Sequence, residues 1–136
     1  MVEIKISYSG GLRTRAVHGP SGCVLETDAP KDNQGQGESF SPTDLVATAL
    51  GTCVMTIMAI VGERHGMDLG EATIRVEKIM ASSPVRKIAR LQVAITVPGI
   101  SDPADRARLK AAALNCPVHA TLGDGCQMDL SFEWPD

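Results

Sequence analysis

The stretch SPTDLVATALGTCVMTIMAIVGERHG, residues 41–66, decides the architecture. Ser41 offers a side-chain oxygen to unpaired backbone N–H groups, Pro42 has the fixed φ of a first helical residue, and Asp44 follows three places after the cap. Gly66 supplies a terminator, so the spacing predicts one helix from Ser41 to about His65, roughly 36 Å long at 1.5 Å per residue. Leu45 to Val61 is apolar on nearly every side, but Thr48, Gly51, Thr52, Cys53 and Thr56 interrupt it. That pattern fits a buried core helix better than a membrane span. A helix longer than a compact chain of this size needs, and apolar all round, predicts a homodimer.

Before this helix, Val2, Ile4, Ile6 and Tyr8 alternate as one face of a strand, Gly10-Gly11 turns the chain, and a second strand runs from about Leu12 to His18. Gly19-Pro20-Ser21-Gly22 is turn chemistry, and Cys23 to Asp28 alternates as a third strand. Residues 29–40 hold Pro, Gly, Asn, Gln and charge without a period, and predict a loop. After the helix, Ala72 to Met80 and Ile88 to Val97 predict two strands broken by Ser82-Ser83-Pro84. Asp102-Pro103 caps an Ala-rich helix to about Leu114, and Met128, Leu130, Phe132 and Trp134 alternate on a last strand. The expected fold is therefore α+β, in the order βββ-α-ββ-α-β, as a single domain over residues 1–136 with antiparallel sheets.

Composition narrows the function. A net charge of −3 and the absence of a Lys/Arg run argue against nucleic acid as a partner. The N-terminus alternates as a strand and lacks the organisation of a signal peptide, so a cytoplasmic location is expected, with no membrane partner. Four cysteines are too few for a disulfide scaffold in a chain of 136 residues. Each has to be judged by its surroundings.

Cys53 lies in mid-helix on one stripe with Ala49, Leu50 and Ile57, a setting that also suits an inert buried thiol. Cys116 precedes Pro117-Val118-His119, where it caps a short helix and faces the positive end of its dipole, which predicts a lowered pKa. Cys23, in the third strand, and Cys126, after Gly123-Asp124-Gly125, read as structural filler. A zinc site from Cys53, Cys116 and His119 lacks a second tight ligand pair, and Gly35-Gln36-Gly37 is a poor nucleotide loop, so neither metal nor cofactor is expected. His18 and His65 suit structural roles at a strand end and a helix end. Arg13 and Arg15 alternate on one strand face, where either suits a solvated face or the support of a thiolate.

Taken together, Ser41-Pro42-Thr43-Asp44-Leu45, Ala49-Leu50-Gly51-Thr52-Cys53 and Cys116-Pro117-Val118-His119 resemble the OsmC/Ohr family of osmotically inducible and organic hydroperoxide resistance proteins. The resemblance covers nearly the whole chain. It implies an intertwined homodimer with two long central helices flanked by antiparallel sheets and active sites at the subunit interface. It further implies that Cys53 is the peroxidatic thiolate, that Cys116 resolves its sulfenic acid as an intramolecular disulfide, and that a dithiol restores the pair. An arginine, Arg13 or Arg15, would support the thiolate. The glutamate that orients this arginine in the family falls at Thr43, which points to the OsmC-like branch.

The expected function is thus a thiol-dependent peroxidase acting on organic hydroperoxides. Two alternatives stand beside it. One is a binding protein that encloses an apolar ligand with Met55, Met58, Met67, Met80 and the loop at 29–40. The other is a redox-sensing stress protein that forms the disulfide but turns over slowly.

Overall fold

A computed structural model describes residues 1–136. Six strands and three helices follow the order βββ-α-ββ-α-α-β, the expected α+β order with one short helix added after Cys116. The chain forms two compact units, Met1–Val46 and Ala47–Asp136.

The first unit is a three-stranded antiparallel sheet, β1 (Ile4–Gly10), β2 (Arg13–His18) and β3 (Val24–Asp28), in the order β1-β2-β3. Gly10, Gly11 and Leu12 all have positive φ in the first turn, the conformation that glycine adopts without strain. Registers Ile6↔Ala16 and Ala16↔Leu25 put Ile4, Ile6, Tyr8, Ala16 and Leu25 on one face, and the pairs Arg13↔Asp28 and Arg15↔Glu26 on the other. Within one chain the apolar face is bare, with Ile6 69% and Tyr8 68% exposed. Cys23 lies just ahead of β3, exposed, rather than inside it.

The expected loop at 29–40 is present and closes at its base. Asp28 N–H donates to Phe40 O at 3.0 Å and Gly37 N–H to Ala29 O at 3.2 Å, around a short 3-10 turn at Lys31–Asn33. A Cβ on Gly35 would lie 1.7 Å from Ala29 O, so this closure admits only glycine there.

The long helix α1 runs Pro42–Arg64, within a residue of its predicted ends. Its start is a reciprocal capping box: Asp44 N–H donates to Ser41 Oγ at 3.1 Å, and Ser41 N–H donates to Asp44 Oδ2 at 2.9 Å. By length and composition it would also suffice to cross a membrane.

In the second unit, one stripe of α1 (Ala47, Leu50, Gly51, Val54, Met58 and Gly62) is buried. It joins Leu91, Val93, Ile95 and Val97 from the next sheet in a single core. The rest of α1 is incompletely covered, and Ile60 is 40% exposed. That sheet comprises β4 (Thr73–Ala81), β5 (Lys87–Thr96) and β6 (Gln127–Glu133), in the order β4-β5-β6. β4 and β5 form the expected antiparallel pair, and β6 runs parallel to β5, the one parallel pairing in sheets that are mostly antiparallel as expected. The reason is the connection: α2 (Pro103–Leu114) and α3 (Pro117–Leu122) carry the chain from β5 to β6, and a crossover of that length permits parallel pairing. Asp102 caps α2 by accepting from Ala104 N–H at 2.8 Å. On α2, Arg106 lies over Trp134 and Lys110 over Phe132, cation–π contacts that fasten the helix to the C-terminal segment.

At Gly51 helix and sheet approach closely, since a Cβ there would meet Val76 Cγ2 at 2.8 Å. Val76 is β-branched and cannot swing aside. Gly51→Ala is therefore expected to destabilise by about 1–2 kcal/mol, overpacking outweighing the gain in helix propensity of just under about 1 kcal/mol. Urea denaturation checks this, and an unchanged or raised midpoint contradicts it.

Candidate functional site

The second unit brings the two predicted cysteines together. Cys53 sits half-buried in mid-α1, packed against the core. Cys116 is fully buried at the start of α3, and the Cys53 side chain lies near enough to raise its pKa. Residues 63 positions apart in the chain (116 − 53) are thus neighbours in the fold.

Local chemistry places Cys116. Its backbone is extended (φ −72°, ψ 141°), Pro117 is the first helical residue, and Sγ accepts from His119 N–H at 3.2 Å. The predicted capping role is therefore present, but the predicted pKa direction is reversed. Burial pushes the Cys116 thiol up and nearby Cys53 adds to this, outweighing the His119 and Val118 N–H groups that favour the thiolate. The dipole of a six-residue helix loses to desolvation at a site with no exposed surface.

The sign of this shift gives a pH dependence. A thiol that holds its proton more tightly when folded contributes full stability below the ordinary cysteine pKa of about 8.5, and that contribution is lost as pH rises through the raised folded value. Denaturation midpoints are expected to fall from pH 7 towards pH 10 in the native chain. Cys116→Ser, which does not titrate, should flatten the decline, and an identical decline in that variant contradicts the assignment.

The other cysteines stand apart in character. Cys23 is exposed in the turn where Ser21 Oγ meets His18 Nδ1 at 2.6 Å, and Cys126 is half-buried beside the core. No three His, Cys, Asp or Glu side chains gather as a metal-binding group. Met58 is wholly buried in the core. An open cleft of about 550 Å³ beside Met67 is acidic rather than apolar. There Asp68 accepts from Gly70 N–H, Asp102 caps α2 and Asp105 pairs with Arg108.

In the first unit the two predicted arginines separate. Arg15 is exposed opposite Glu26. Arg13 is hydrogen-bonded to Glu38 and lies 3.6 Å from the Asp28 carboxylate, and Glu38 with Asp28 raises its pKa. Asp28 is 1% exposed; its Oδ2 accepts from Glu38 N–H at 3.0 Å and its Oδ1 has no hydrogen-bond partner. Sequence reading missed both acids. The β2–β3 register was the available signal for Asp28, because it sets Arg13 opposite that residue, whereas Glu38 in an aperiodic loop gave none. Thr43, at the position of the family glutamate, instead lies 3.3 Å from the Ser41 hydroxyl.

Comparison with known proteins bears on the whole chain. The OsmC-like protein family model matches residues 35–131. A Psychrobacter arcticus structure, described provisionally as an osmotic stress induced and detoxification response protein, is 38% identical with a TM-score of 0.91, over 98% of this chain and 96% of that one. An organic hydroperoxide resistance protein OsmC from Legionella pneumophila shares the fold at 17% identity and a TM-score of 0.75, over 98% and 96% of the two chains. One from Elizabethkingia anophelis does so at 15% and 0.78, over 98% and 95%. No curated protein sequence matches significantly. With its core, its long helix and both neighbouring cysteines inside the matched region, the chain belongs to the OsmC-like family.

Proposed function

We propose that the protein is a thiol-dependent peroxidase that reduces organic hydroperoxides and works as a homodimer in the cytoplasm. The observation that carries the reading is the proximity of Cys53 and Cys116 in one core cluster. The Cys53 thiolate attacks the terminal peroxide oxygen, the O–O bond breaks, and the alkoxide takes a proton to leave as the alcohol, with Cys53 oxidised to sulfenic acid. Cys116 sulfur then attacks the Cys53 sulfur, its proton leaves with the hydroxyl as water, and a disulfide forms. A dithiol reductant returns both thiols. Cys116 is fully buried, which keeps peroxide from it, whereas half-buried Cys53 is accessible, so Cys53 takes the first role and Cys116 the second. The resemblance gives the supporting role to Arg13 or Arg15, of which Arg13 is the one held by acids.

The dimer is supported by two apolar surfaces bare in one chain, the Ile4, Ile6 and Tyr8 face and the outer side of α1. Sedimentation should give twice the 14.4 kDa chain mass, and a stable monomer would remove that part of the proposal.

The test of function is a thiol count before and after one equivalent of cumene hydroperoxide. Two of the four thiols should disappear, with peptide mass placing the disulfide at Cys53 and Cys116. All four remaining reduced would sink the peroxidase reading. A redox sensor would lose the same two thiols but fail to sustain turnover with dithiothreitol, so the steady-state rate separates the two.

A further inference from the structure

We infer that α3 is a redox-sensitive latch, capped by the Cys116 thiol in the reduced chain and released when Cys116 bonds to Cys53. The inference rests on the disulfide proposed above and extends it to a change of shape in the segment that follows Cys116.

Three observations carry it. The first is that one sulfur has two tasks. Cys116 Sγ accepts from His119 N–H at 3.2 Å as the N-cap of α3, and the same atom forms the bond to Cys53 in the proposed disulfide. The second is that α3 depends on its cap. It spans six residues, fewer than two turns, and so short a helix has few internal bonds to set against the cost of fixing its first turn. The third is that little else secures it. No residue of α3 is fully buried; Pro117, Ala120 and Thr121 are exposed, and Val118 and Leu122 pack against the core from half-buried positions.

Pro117 has no N–H, so the first donors of α3 that need a partner belong to Val118 and His119, and both act on the Cys116 sulfur. In the dithiol the sulfur sits where the helix end places it. The Cys53 sulfenic acid and the Cys116 thiol then give the disulfide and one water, with the hydroperoxide as the oxidant and a dithiol as the reductant that resets the latch. In the disulfide the position of the sulfur is set by its covalent bond to α1, and it can no longer ionise, so it ceases to serve the helix end. Two N–H groups are left to water and the first turn of α3 opens. The oxidation state of a pair in the core is thereby displayed at the surface.

The experiment is amide hydrogen exchange at Val118 and His119, followed by NMR in the reduced native chain and again after treatment with diamide, which forms disulfides without a peroxide. Peptide mass checks the bond between Cys53 and Cys116. Two variants are compared: Cys116→Ala, which lacks both cap and disulfide, and Cys116→Ser, which keeps a capping oxygen. Exchange at both amides is expected to be roughly two- to thirtyfold faster in the disulfide and in reduced Cys116→Ala, the range that a lost cap spans. Cys116→Ser should stay as slow as the reduced native chain, with or without diamide. The Ala104 amide, capped by Asp102 on α2, is the control and should not change.

Equal or slower exchange in the disulfide, slow exchange in Cys116→Ala, or fast exchange in Cys116→Ser overturns the inference. So does an equal rise at Ala104, which would mean that the whole unit loosens. Failure of diamide to join Cys53 to Cys116 overturns the latch and the disulfide step together. If diamide joins them and α3 opens while cumene hydroperoxide leaves all four thiols reduced, the peroxidase reading falls and the latch stands.

Discussion

Replacing Cys53 by Ser should lower hydroperoxide turnover at least about a thousandfold, whereas replacing Cys116 should stop the enzyme only after its first turnover. The difference follows from the two environments. Cys53 is half-buried and reachable, and without its sulfur the peroxide meets no other thiol placed to form the pair. Cys116 is fully buried with its proton held tightly, so its loss leaves the first oxidation intact and removes only the exit from the sulfenic acid. In Cys116→Ser one equivalent of peroxide should be consumed per chain, and dimedone should trap Cys53 at a mass gain of one adduct. Rapid turnover of Cys53→Ser would show that the chemistry lies elsewhere, with Cys23 the first suspect as the exposed thiol.

Leu50→Ala carries the largest expected loss of stability, about 2–5 kcal/mol, because Leu50 is fully buried and the core cluster around it includes Val54, Met58 and Leu91. For a chain of this length that is a fall in Tm of roughly 8–20 °C. Leu50 also stands one helical turn before Cys53. A cavity there should loosen the helix that presents the thiol, so the thiolate labelling rate and the melting temperature should change together. A fall in Tm below about 3 °C would mean that the site collapses to refill the space.

Much of this was legible in the residues. Capping chemistry at Ser41 and Asp44 placed the start of α1 to within a residue, and strict alternation placed all six strands to within one or two. The pairing of Cys53 with Cys116 came from family resemblance, since no local pattern declares proximity across 63 positions. The parallel pairing of β6 was not legible, because alternation shows which residues share a face and is silent on which neighbour a strand takes. The reversed pKa of Cys116 depended on burial, which a cap motif does not report. Glu38 lay in a segment without periodicity, where only the closed loop could reveal its partner.

Thr52 Oγ1 donates to Thr48 O at 2.8 Å and Thr56 Oγ1 to Thr52 O at 2.7 Å, so the hydroxyls that interrupt the apolar run in the sequence are satisfied within the helix.

The parallel strand β6 has a consequence for the newborn chain. Arg90 pairs with Gln127, so the sheet closes only when the ribosome has released some 37 further residues (127 − 90), and Cys116 lies within that span. Pairings so distant in sequence form late during folding. A nascent or unfolded chain accordingly carries four unrelated thiols, and the couple that would exchange electrons exists only once folding is complete. Folding itself then brings Cys53 and Cys116 together, so on the proposed function an unfinished chain lacks the pair that the chemistry needs.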